Sequence, residues 1–62
     1  MTYRLKHNRQ YKIETKAGTS WNRVFKGKEF LYLCACMETA YQTIFRETGG
    51  EFGALSREDF LT

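Results

Sequence analysis

The chain has no proline, one histidine, one tryptophan and two cysteines in 62 residues, and no apolar run reaches the roughly 18 residues that span a bilayer. Each scarcity removes a class of function. His7 stands in a polar break between Lys6 and Asn8-Arg9, far in sequence from both cysteines, so no zinc-ligand spacing is present and no metal or other cofactor is expected. A nucleophile, a base and an orienting group have no convergent candidates here, and the chain is read as a non-enzyme. Cys34 and Cys36 fall inside a helical pattern one residue apart, about 160° around the axis, and cannot bridge each other. Free thiols and the lack of a signal-peptide apolar stretch point to a reducing, cytoplasmic setting without membrane contact. Low-complexity segments, linkers and internal repeats are also missing, leaving one small domain over residues 1–62. A domain of this size buries only about 60% of the surface its unfolded chain exposes, so its stability is expected to be modest.

What is present is a division of charge. Residues 1–28 hold eight of the ten Lys and Arg residues and one acid, Glu14, whereas residues 29–62 hold two bases and six acids. The halves carry +7 and −4. Such an asymmetry places positive potential on one layer of a small protein, where an anionic partner can sit.

The basic half has the period of strands. In Thr2 to Lys6, Tyr3 and Leu5 alternate with Arg4 and Lys6, and in Tyr11 to Lys16, Tyr11, Ile13 and Thr15 alternate with Lys12, Glu14 and Lys16. Turns are expected at His7 to Arg9 and at Lys16 to Ser20. A third strand, Trp21 to Lys26, conflicts with itself. If Trp21, Arg23 and Phe25 face inward, an arginine enters the core; if Asn22, Val24 and Lys26 do, two aromatics meet solvent. The preferred arrangement packs Phe25 and leaves Trp21 partly exposed.

Gly27 closes the strand region, and apolar periodicity then predicts a helix from about Lys28 to Thr48, capped by Gly49-Gly50. On that helix Phe30, Leu33, Cys34, Met37, Ala40, Tyr41, Ile44 and Phe45 share one arc, with Glu38, Gln42 and Arg46 opposite. Cys34 then behaves as a small buried hydrophobe, and Cys36, flanked by Glu29 and Glu47, is expected to have a raised pKa. Leu31, Tyr32 and Ala35 fall outside the arc as a possible protein contact. Glu51 to Leu55 reads as a short strand or a crossing, Ser56 as the cap of a last turn, and Phe52, Leu55, Phe60 and Leu61 as the closure of the core. Thr48-Gly49-Gly50-Glu51 follows a helix and lacks the lysine of a phosphate loop, so it is a cap rather than an anion site. The fold class is α+β: a three-stranded antiparallel sheet on one long amphipathic helix, with a short C-terminal strand or helical turn.

Arg4, Lys6, Lys12 and Lys16 are expected on one sheet face, with Arg9, Arg23, Lys26 and Lys28 at turns and edges; Trp21, Asn8, Gln10 and Asn22 add groups that stack on bases or read them. The order of three strands, a Gly27-Lys28 turn and a helix is similar in architecture to the arm-binding domains of tyrosine recombinases and to plant AP2 domains. That resemblance, over roughly residues 2–48, implies a sheet laid in the DNA major groove. Three roles stand side by side for the basic half: a solvated face that blocks aggregation, a nucleic-acid contact, and a seat for an acidic protein surface. The leading expectation is a nucleic-acid-binding module. The alternative is a small adaptor or inhibitor of a larger protein, of the phage or mobile-element accessory type, and a homodimer through Leu31 and Tyr32 or an edge strand is a third possibility.

Overall fold

A computed structural model describes residues 1–19, 21–51 and 53–62. The described residues form an α+β fold, with one antiparallel sheet of five strands and one helix. The elements are β1 (Thr2–Leu5), β2 (Tyr11–Thr15), β3 (Asn22–Lys26), β4 (Glu29–Cys34), α1 (Met37–Glu47), a single 3₁₀ turn (Arg57–Asp59) and β5 (Phe60–Leu61). Sheet order is β4-β3-β2-β1-β5, so the first four strands form a meander and the last returns to the open side of β1.

The period-two pattern of the first half decides which side of the sheet is covered. Tyr3, Ile13 and Val24 are cross-strand neighbours on the helix side, as are Leu5 and Phe60. Leu5, Ile13, Val24, Cys34, Ala40 and Ile44 are buried and form the core with Tyr11 and Phe60. Tyr41 stacks on Phe60 at 5.3 Å between centroids, tying α1 to β5.

The helix expected from Lys28 to Thr48 is two elements, not one. Glu29–Cys34 is a fourth strand, and α1 begins only at Met37. Lys26 pairs with Glu29 across a two-residue loop, Gly27-Lys28, and Gly27 has φ +61°, the left-handed geometry that a tight hairpin wants at its first loop position. The chain therefore reverses at Gly27 and zips back along β3. Phe30 and Leu33, assigned above to the buried arc of a helix, are exposed on the sheet. Val24 pairs with Tyr32 but Phe25 pairs with Phe30, which leaves Leu31 as the extra residue of a bulge, half-buried against the core.

The remaining helix keeps its expected sidedness. Ala40 and Ile44 are buried, Glu38, Gln42 and Arg46 are exposed, and Phe45 lies at the margin. Thr43 is buried as well, its hydroxyl donating to the Thr39 carbonyl at 2.9 Å and lying 3.8 Å from Cys34 Sγ. At the C-terminus the Gly50 N–H reaches the Phe45 carbonyl at 2.8 Å and the Gly49 N–H reaches Arg46 at 3.1 Å, the Schellman pattern that satisfies the last carbonyls. Ser56 begins the 3₁₀ turn, where the Asp59 carboxylate accepts the Ser56 N–H at 2.8 Å. No strand forms among the described residues of 51–55; Leu55 is half-buried, Phe60 is buried, Leu61 is exposed, and the expected role of Phe52 lies outside the described residues. Among the described residues no helix is long and apolar enough to cross a membrane.

Candidate nucleic-acid interface

The sheet surface turned away from α1 carries two rows of side chains. One runs across all five strands as Leu61, Arg4, Lys12, Phe25 and Phe30; the other runs as Thr2, Glu14, Arg23 and Leu33. The alternation that sends Tyr3, Leu5, Ile13 and Val24 into the core puts Arg4, Lys12 and Arg23 on this open wall. The third strand resolves its internal conflict by turning Asn22 and Val24 inward and leaving both aromatics out. Asn22 is buried and its side-chain amide donates to the Cys34 carbonyl at 3.4 Å, which gives the polar group a partner and removes it from any base-reading role. Phe25 is therefore not a core residue. It is half-buried on the outer wall, with Lys12 Nζ 5.1 Å from its ring centroid and the Phe30 ring edge-on at 5.6 Å.

Lys12 also meets Glu14, Nζ to Oε2 at 3.3 Å, two residues along the same strand. That pair is partly exposed and weak, so Lys12 keeps much of its capacity to attract an anion. Arg4 and Arg23 make no ion pair among the described residues. None of the six acids of the second half reaches these three cations among the described residues. Lys16 lies in the turn after β2 and shares with Arg23, Thr2 and Glu14 the lining of a shallow depression of about 400 Å³ at the end of the wall.

The other expected site residues are dispersed. Lys6 follows β1 and its N–H bonds to the Asp59 carbonyl at 2.9 Å, while Arg9 is exposed in the β1–β2 turn. In that turn the Gln10 N–H donates to Asn8 Oδ1 at 3.2 Å. Lys26 belongs to the opposite side of the sheet, its ammonium 5.7 Å from the Tyr11 ring. Trp21 stands just before β3 and is half exposed. Leu31, Tyr32 and Ala35 do not sit on a helix flank: Leu31 and Tyr32 belong to β4, Leu31 half-buried and Tyr32 exposed, and Ala35 is exposed in the link to α1.

Phe25, Phe30 and Leu33 were not foreseen on this wall. The signal lay in Glu29 to Cys34, a run rich in aromatic and aliphatic residues placed directly after a Gly-Lys turn. Cys36 also departs from expectation. It occupies the position before the first residue of α1, its thiol 3.1 Å from Thr39 Oγ1, and hydrogen bonds from the Thr39 hydroxyl and backbone hold its pKa below the ordinary thiol value rather than above it. A second concavity, along α1 between Tyr41, Gln42, Phe45 and Leu55, includes Glu38 and no Lys or Arg among the described residues, and so offers nothing to an anion.

The wall thus combines exposed and partly exposed cations with aromatic surface on one side of the sheet, a surface suited to an anion that also has apolar faces. Searches against family models, curated proteins and solved structures find no match for this chain.

Proposed function

We propose that the chain is a non-enzymatic binding module that contacts nucleic acid through the sheet wall opposite α1. The observation that carries this reading is the row Arg4, Lys12, Phe25, Phe30, in which two cations and two rings stand side by side on consecutive strands with no element laid over them among the described residues. Arg23 and Lys16 extend the positive charge at one end. Phosphates take the cations, and the rings supply contact area that a purely solvated face does not need. If Arg4, Lys12, Lys16 and Arg23 each neutralise a phosphate, log K against log salt should fall with a slope of about −2.8 for a single strand or about −3.6 for a duplex. Fluorescence anisotropy with labelled oligonucleotides measures this, and replacing Arg4 and Arg23 by alanine should flatten the slope by about 1.4 to 1.8. Absence of binding at low salt defeats the reading.

A second reading, a small adaptor or inhibitor of a larger protein, is supported by β4. That edge strand exposes Phe30 and Leu33 on the outer wall and Tyr32 on the side of Val24, and exposed aromatics are frequent anchors of protein interfaces. Affinity capture with and without nuclease separates the two. A protein band that survives nuclease and disappears on Tyr32→Ala favours the adaptor.

A further inference from the structure

We infer that the polynucleotide bound on this wall is single-stranded, with a base stacked on Phe30. The inference rests on the nucleic-acid reading and narrows it to one class of ligand.

Width argues first. Adjacent strands lie about 4.8 Å apart, so the four strands β1 to β4 span about 14 Å between outer axes before side chains are added. A duplex major groove is about 12 Å wide and admits a two-stranded ribbon, not this wall. The fourth strand thus removes the basis for the groove-filling geometry that three strands and a helix implied. The hairpin of β3 and β4 alone is narrow enough to enter, but on that side it presents Phe25, Phe30 and Leu33, with Arg23 beside Leu33 as its one polar group among the described residues. Base edges on a groove floor are donors and acceptors, and covering them with phenyl rings strips their water without replacing it.

The division of the wall argues second. In one row Glu14 stands on β2 and Arg23 stands beside Leu33, while in the neighbouring row Arg4, Lys12, Phe25, Phe30 the two cations stand on β1 and β2 and the two rings on β3 and β4. An unpaired strand is divided the same way, phosphates along one side and bases along the other. Laid along the strand direction, its backbone meets Arg4 and Lys12 while its bases turn toward the rings. Phe30 is 53% exposed, the most accessible phenylalanine of the wall, and the edge-on contact with Phe25 sets its tilt. Every base has a π face, so such a seat tolerates many sequences.

The test is anisotropy at low salt with fluorescein-labelled 15-nucleotide oligo(dT) and oligo(U) and a 15-base-pair duplex, using the chain and its Phe30→Ala and Phe30→Trp variants, each checked for fold by far-UV circular dichroism. The expected result is at least about tenfold tighter binding of a single strand than of duplex, a loss of roughly 5- to 150-fold for that strand on Phe30→Ala, and recovery on Phe30→Trp. The tighter of the two oligonucleotides identifies the sugar. Duplex bound as tightly as either single strand, or a folded Phe30→Ala chain with unchanged single-strand affinity, overturns the inference and leaves the broader reading standing. No binding to any of the three removes both.

Discussion

Replacing Ile44 by alanine tests whether α1 is held by burial rather than by its own helical tendency. Ile44 is fully buried in the C-terminal half of an 11-residue helix, among the core residues beneath the sheet. An isolated helix of that length is marginal in water, so the apolar face must hold it in place. The substitution removes three carbon groups at about 0.8 kcal/mol each, roughly 2.4 kcal/mol of transfer energy. If a void of about 60 Å³ persists, a further ~1.4 kcal/mol is lost at ~24 cal/mol per Å³, giving about 4 kcal/mol in all. A chain of this length has a total stability of about 3 to 9 kcal/mol at typical per-residue values, so the variant should be close to unfolding at room temperature. Ile44→Val, which loses one group, should cost about 0.5 to 1.5 kcal/mol and keep the fold. Urea titration followed by far-UV circular dichroism measures both; Trp21, half exposed, is a weak fluorescence reporter of unfolding. A loss below about 1 kcal/mol for Ile44→Ala refutes the assignment of α1's stability to this contact.

Two further outcomes follow from local geometry. Gly49 has φ +67° at the helix end with open space around its Cα, so Gly49→Ala pays backbone strain alone, about 1 to 2 kcal/mol in the same urea titration, whereas Gly50→Ala should cost more because its new carbon meets the Phe45 ring at 3.2 Å. The two thiols should react with a disulfide reagent in separate phases, exposed Cys36 fast and buried Cys34 only through opening. The pH midpoint for Cys36 should fall below that of a free cysteine and rise on Thr39→Val, since the Thr39 hydroxyl is the largest cause of the lowered pKa. Because the folded chain favours the thiolate, this contribution to stability is complete above the unfolded pKa and fades as pH drops through the folded one.

Strand β3 was placed although its own alternation left its inward face ambiguous; β1 and β2 were legible because apolar and charged residues alternate in them with no competing period. Their open side was legible too, since the parity that buries Leu5 and Ile13 must expose Arg4 and Lys12. The fourth strand was not. Phe30, Leu33, Cys34 and Met37 fit a 3.6-residue repeat continuous with the true helix, and the bulge at Leu31 breaks the plain alternation that would have betrayed a strand. A short apolar run satisfies both periods, and the Gly27 reversal, a tertiary choice, settled it. Phe25 was misplaced for a related reason: keeping an aromatic inside would have dragged Arg23 with it, and burying the smaller Asn22, which finds the Cys34 carbonyl, costs less than burying a guanidinium. Lys26 was put with the binding residues by its charge, although its parity sends it to the other side.

The extra residue at Leu31 also governs how β4 can meet a neighbour. A plain six-residue border with three oily side chains would invite another chain to knit onto its free amides. The kink interrupts the spacing of those amides halfway along, so an incoming ribbon meets matched partners over only part of the length. The same bulge that makes room for Leu31 against the core thus also shortens the stretch of border open to regular pairing.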